Sequence, residues 1–170
     1  MHYPTENRKK RTAIHAKVLC GEETEIFEFP EVPEYSSEGD VLLLFPKEGA
    51  KQLKEVKDLE KVKKLVVIDS QWQTAKKILS HPNLQQLPCV SLDTHQTLFW
   101  RYHPKNVDDS GLATIEAIFY FFREYHLALH PSYEGQYDDL LYFFAHNYKL
   151  IQSYYKSNNL EFKKKKNYIK

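Results

Sequence analysis

Glycine is scarce in this 170-residue chain: the five present, at positions 21, 39, 49, 111 and 135, are too scattered to write a phosphate-binding P-loop or a G-x-G-x-x-G dinucleotide turn anywhere. Common NTPase and nicotinamide chemistries are thereby excluded, and so is the glycine-rich loop of the commonest methyltransferase fold. There is no H-E-x-x-H pair for zinc and no G-x-S-x-G elbow for a serine nucleophile. Cys20 and Cys89 are the only cysteines, which is too few for a thiolate zinc site or a disulfide framework, so no metal and a reducing compartment are expected. No stretch approaches the ~18 apolar residues that a spanning helix needs, and no apolar stretch follows the opening Met1-His2-Tyr3-Pro4, so neither a membrane span nor a secretory signal is expected. The eight histidines are dispersed, and His15 and His126 read as structural.

What is present is an apolar and aromatic supply, 42% and 14% of residues, sufficient for one sizeable core. Net charge is only +1, so its distribution carries the information. Arg8, Lys9, Lys10, Arg11 and Lys17 make the start basic, residues 21–40 hold eight carboxylates with no Lys or Arg, and Lys163 to Lys166 make the end basic again. Residues 1–155 are read as one domain and 156–170 as a disordered basic tail.

Period-two alternation predicts strands at Thr12 to Leu19 and Glu25 to Phe29. Asp40 to Phe45 reads as a central strand ended by Pro46, and a charged helix is expected from about Gly49 to Val62, with apolar residues at 53, 56 and 59 on one face. Lys64 to Asp69 is an apolar strand ending in a carboxylate, and the pattern turns helical from Trp72 to Leu79. Leu87 to Leu92 and Leu98 to Tyr102 predict two more strands, with a polar loop from Pro104 to Gly111. Ile115, Ile118, Phe119, Phe122, Tyr125 and Leu129 form the stripe of a long helix, and a last helix buries Tyr137, Leu140, Leu141, Phe144, Tyr148 and Ile151. This order defines an α/β layered domain with a partly parallel sheet flanked by helices, whose ligands are expected beyond the carboxyl ends of its strands.

Three segments fall there: Leu44-Phe45-Pro46, Asp69-Ser70-Gln71-Trp72, and Leu112 to Ala117. A carboxylate between a strand end and a helix N-terminus is held ionised by backbone N–H groups and the helix dipole, and it accepts a proton or binds a cation. On spacing alone Asp69 reads at least as readily as an N-cap and Trp72 as core, while Thr114 reads as a cap and Glu116 as a dipole partner.

Asp69-Ser-Gln-Trp72 followed by Ala75-Lys-Lys resembles the D-x-T-W signature of the DTW-domain family, and Leu112-Ala-Thr-Ile-Glu-Ala-Ile118 is similar to that family's L-S-T-I-E-A block. Thr12-Ala-Ile-His-Ala-Lys17, Leu98-Phe-Trp-Arg101 and Gly135-Gln-Tyr-Asp-Asp-Leu-Leu141 resemble its eukaryotic tRNA-modifying branch, so the likeness runs from about residue 3 to 155. The chain departs from the pattern in Gln71, where the family has Thr, in Ala113, where it has a capping Ser, and in Tyr3-Pro-Thr-Glu6, where it tends to show H-P-x-E and this chain has a histidine one place earlier. The cysteine-rich segment that usually precedes the domain is also missing.

The resemblance implies a SPOUT-like fold with a C-terminal trefoil knot, and a transferase that moves the 3-amino-3-carboxypropyl group of S-adenosylmethionine to N3 of a D-loop uridine in tRNA. It implies Asp69 and Trp72 as catalytic, with Asp69 a base or an acceptor-orienting carboxylate and the indole beside the sulfonium. It also implies a donor pocket formed by Thr12, Leu44, Phe45, Pro46, Ser70, Gln71, Leu112, Thr114 and Glu116. Phosphate contacts are expected from Arg8, Lys9, Lys10, Arg11 and Arg101, a base platform from Trp100 or Tyr102, and a nuclear or else cytoplasmic location. Two rival readings remain open: an RNA-binding module of the same fold, impaired in catalysis, and a protein-interaction domain presenting the aromatic helices.

Overall fold

The computed structural model describes residues 1–5, 11–36, 38–97 and 111–160. In chain order these hold α1 (Ile14–Leu19), β1 (Val41–Leu44), β2 (Lys51–Gln52), 3₁₀ turns at Leu53–Glu55 and Leu59–Lys61, and β3 (Lys64–Val67). They continue with α2 (Trp72–Leu79), α3 (Pro82–Gln85), β4 (Cys89–Ser91), α4 (Thr114–Leu129), a 3₁₀ turn at Asp138–Leu141 and α5 (Tyr142–Ser157).

The four strands form one sheet in the order β2-β4-β1-β3, and every pairing is parallel. Val41 to Leu44 are all buried because β1 is central and covered on both faces, as parallel strands require. The pleat divides them. Val41 and Leu43 join Val66, Ile78, Leu84 and Leu87 under α2 and α3, whereas Leu42 and Leu44 join Leu53, Leu59, Val90 and Phe121 beneath α4. A third cluster, built on Ala16, Ile115, Ile118, Phe119, Tyr120 and Leu140, fastens α1 and the 138–141 turn to α4. Beyond β3 the sheet is prolonged by the first residues: His2 bridges Asp69 on one side and Glu28 on the other, both in parallel. Hydrogen bonds from Asp69 N to Met1 O (2.9 Å), His2 N to Phe27 O (2.9 Å) and Phe29 N to His2 O (2.8 Å) hold that insertion.

Several expectations are corrected. Thr12 to Leu19 is not a strand, since α1 occupies 14–19, and Glu25 to Phe29 contributes a single bridge at Glu28. The helix expected over 49–62 is a two-residue strand and two 3₁₀ turns, entered through Gly49, whose φ of +79° only glycine adopts without strain. The strand at 98–102 and most of the 104–111 loop lie outside the described residues. The long helix α4 is as expected. The last helix is correctly placed, but among its expected buried side chains Ile151 is exposed and no residue of α5 is fully buried.

Candidate functional site

At the carboxyl end of β3 the chain leaves the sheet with Asp69 and does not enter α2 until Gln71, which is that helix's N-cap. Asp69 therefore does not cap the helix that follows it. Its carboxylate crosses to a different helix: Oδ1 accepts from the Thr114 hydroxyl at 2.6 Å, in the first turn of α4, and Oδ2 lies 3.0 Å from His2 Nε2. The residue is 6% exposed. Burial pushes its carboxyl up, but the hydrogen bonds from His2 and Thr114 and the electrostatic pull of His2 and the Met1 amino group outweigh this and hold it below its ordinary value of 3.8. The N-terminal dipole of α4 acts in the same sense.

The start of α4 lacks the expected serine, and Ala113 has no oxygen to offer. Two other residues do its work. Thr12 Oγ1 accepts from Ile115 N at 3.2 Å, 103 positions away in sequence, and Glu116 reaches back so that its Oε2 accepts from Ala113 N at 2.8 Å. Glu116 is completely buried, and the Thr97 hydroxyl is shared between its two oxygens at 3.0 and 2.9 Å. Thr12→Val, which keeps the shape and removes the oxygen, is expected to lower stability by about 1 kcal/mol in denaturant unfolding, because α4 loses the cap Ala113 does not supply.

The motif segments thus converge. Leu44 pairs with Val67 in register, and Val67 and Leu112 pack in the same cluster at the foot of α4. Phe45 is half-buried on the α2 face and Pro46 is exposed. Ser70 is half-buried with its hydroxyl 2.5 Å from that of Thr74, and Gln71 is exposed. The Trp72 side chain, Arg8, Lys9, Lys10, Trp100, Arg101 and Tyr102 lie outside the described residues. Two expected site residues face inward. Arg11 is 6% exposed and donates to the Tyr3 carbonyl. Glu116 is enclosed and holds the first turn of α4.

His2 and His15 are additions to this neighbourhood. The only sequence signal for His2 was a histidine beside Tyr3-Pro4, one place from the family's position. His15 sits on α1, three residues after Thr12; burial lowers its imidazole from the usual 6.5, opposed by the Asp69 charge, which places it within electrostatic reach of that carboxylate. Its ring lies 6.1 and 6.2 Å from those of Phe143 and Phe144 at the start of α5.

A second cluster continues down α4. His95 Nε2 is 2.5 Å from Glu124 Oε1, Asp93 N donates to Glu124 at 3.1 Å, and the His95 ring stacks on Tyr120 with centroids 3.8 Å apart. Residues 93, 95 and 97 thereby meet positions 124, 120 and 116 of one helix face. Two residues of extended chain rise about 6.8 Å and four helical residues about 6 Å, which is why alternate residues find successive turns.

The depressed carboxyl has a pH consequence. Because its folded value lies under the unfolded one, its stabilisation is complete above about pH 4 and is lost as pH falls through the folded value. In urea titrations at decreasing pH, Asp69→Asn is expected to lose less stability between pH 4 and 2 than the parent does.

The site and sheet describe a DTW-type domain, and the comparison with known proteins agrees: the DTW domain family matches residues 1–152, so the chain belongs to that family. It is 34% identical to the tRNA-uridine aminocarboxypropyltransferase 1 of Xenopus tropicalis, over 91% of this chain and 67% of that protein. Against the human protein of the same name the identity is 34%, over 89% and 64%, and against that of Rattus norvegicus it is 33%, over 88% and 63%. The chain spans about two thirds of the length of these relatives. No solved structure matches.

Proposed function

We propose that the chain is a tRNA-uridine aminocarboxypropyltransferase. S-adenosylmethionine is the donor, N3 of a D-loop uridine the acceptor, the fold SPOUT-like with a C-terminal trefoil knot, and the location nuclear. The observation that carries the reading is the meeting of Thr12, Asp69 and Thr114, from three separate family motifs, at the N-terminus of α4.

In the reaction, a bond forms between N3 and the γ-carbon of the methionine moiety as the carbon–sulfur bond breaks. The electron pair stays on sulfur, which leaves as a neutral thioether, and the N3 proton passes to an acceptor. The sulfonium is already a good leaving group, so the protein's tasks are alignment, exclusion of water and proton removal. Leu44, Phe45 and Leu112 supply apolar walls, and Thr12 and Thr114 fix the polar end. A base is most effective with a pKa near the working pH, and a carboxylate held low with both oxygens engaged is a poor one. Asp69 is accordingly assigned the orienting role, holding Thr114 and His2.

Incubation with S-adenosylmethionine and unmodified tRNA, followed by nucleoside mass spectrometry, tests the assignment. A uridine heavier by one aminocarboxypropyl group is the expected product. Absence of S-adenosylmethionine binding in calorimetry would favour the impaired RNA-binding module. The interaction-domain reading is weakened on α4, where Phe119, Tyr120 and Phe121 are buried in the chain's own core.

A further inference from the structure

The aromatic supply of α5 is used differently from that of α4. Its inner side, Phe143, Phe144, Ala145, Tyr148, Gln152 and Tyr155, is only half-buried, and its other residues are exposed. On that outer surface Tyr142 is 61%, Leu150 56% and Tyr154 62% exposed. Lys149 and Lys156 are exposed on the same helix, and from Tyr142 to Ser157 there is no Asp or Glu. The turn that precedes the helix carries two acids, Asp138, which accepts the Tyr133 hydroxyl at 2.8 Å, and the exposed Asp139. The sequence after the helix continues into Lys163 to Lys166. An aromatic face set among lysines with no carboxylate complements a polyanion that carries π-faces, whereas an apolar protein partner would not require the lysines.

The head of the helix, on its inner side, is linked to the site. Thr12 holds the start of α4, α1 begins two residues later, His15 of α1 feels the Asp69 charge, and its ring abuts Phe143 and Phe144 at the head of α5. From there the 16 residues of α5 run outward for about 24 Å. Ile14 and Val18 on α1 are exposed as well.

We propose that the outer face of α5 is an RNA-docking surface, on which Tyr142 and Tyr154 stack unpaired bases and Lys149 and Lys156 contact phosphates, so that the acceptor strand is laid along the helix toward the Asp69–Thr114 end. The proposal rests on the tRNA reading above and extends it to a second surface.

The test uses the full chain, fluorescently labelled unmodified tRNA and anisotropy at several salt concentrations. Tyr142→Ala with Tyr154→Ala, and separately Lys149→Glu with Lys156→Glu, are expected to weaken binding about tenfold or more. The lysine pair should also reduce the slope of log affinity against log salt by about 1 to 2. S-adenosylmethionine affinity and melting temperature are expected to stay at parent values, since all four side chains are exposed. Variants that bind tRNA as tightly as the parent, a parent that binds no tRNA, or a parent dimer dispersed by the tyrosine substitutions would each overturn the proposal. The two claims separate in the product assay. Modified uridine from a parent whose α5 variants bind normally sinks the surface alone; tRNA binding that depends on α5 but yields no product sinks the reaction assignment and leaves the surface standing.

Discussion

Asp69→Ala is expected to reduce kcat/KM for tRNA modification by at least 100-fold and to destabilise the fold by about 3 kcal/mol. The two losses have one origin. The carboxylate is the acceptor for Thr114 at the head of α4 and the neighbour of His2 in the segment inserted beside β3, and alanine leaves the buried His2 and the half-buried Thr114 without that partner. A freed Thr114 and a loosened first turn displace the polar end of the proposed donor site, and misplacement of about 1 Å is enough for a 100-fold effect. Asp69→Asn separates the parts. It retains an acceptor for Thr114, so most of the stability should return. Activity should remain low if the negative charge orients the site; turnover within about threefold of the parent would show that the charge is dispensable. Single-turnover kinetics with saturating S-adenosylmethionine, read beside the unfolding curves, provide the measurement.

Glu116→Ala is expected to be the most destabilising single change, at about 4 kcal/mol, with melting lowered by roughly 10 °C or more in calorimetry. The side chain is completely enclosed, and its removal takes an acceptor from the Ala113 N–H and from the Thr97 hydroxyl while opening a cavity. Against a typical total of about 5–15 kcal/mol, that loss threatens folding at physiological temperature. Glu116→Gln keeps one acceptor oxygen and a donor that the Thr97 oxygen can accept, so it should cost about 1–2 kcal/mol. A glutamine variant as unstable as the alanine one would mean that the charge, and not the hydrogen-bond pattern, is what the site requires.

The parts of the fold visible in the sequence are those where one physical requirement dominates. The strand β1 announces itself because a central parallel strand is apolar on both faces, and α4 because its stripe keeps a 3.6-residue period over four turns. Where two periods compete, the reading fails. Apolar residues at 53, 56 and 59 recur every three positions, which is the period of a 3₁₀ turn as much as the shoulder of a helical one, and the structure adopts the former. The stretch Thr12 to Leu19 alternates like a strand, yet it is a helix of six residues that owes its form to packing under α4, a non-local cause that no local pattern records.

The site was legible as three segments and not as an arrangement. Sequence placed Asp69 at a strand end beside a helix start, and that was right in kind, but the helix is α4 and not α2, because the partner is set by threading through space. His2 depends on the insertion of the first residues into the sheet, and Thr12 on a contact spanning 103 positions. The missing serine at 113 signals a weakened cap only while the rest of the molecule is ignored. Its replacement comes from outside the helix, and so the start of α4 reports on the position of the N-terminal segment.

The clasp between residues 93–97 and α4 makes chain length matter in steps of two. Asp93, His95 and Thr97 engage Glu124, Tyr120 and Glu116 through alternate positions. Inserting or deleting one residue there turns the following side chains to the opposite face and breaks the downstream contacts together, whereas a change of two shifts the chain by nearly one helical turn and lets it engage again. This stretch therefore behaves as a toothed rack on α4 and fixes, in increments, where the chain is handed on to the segment that follows.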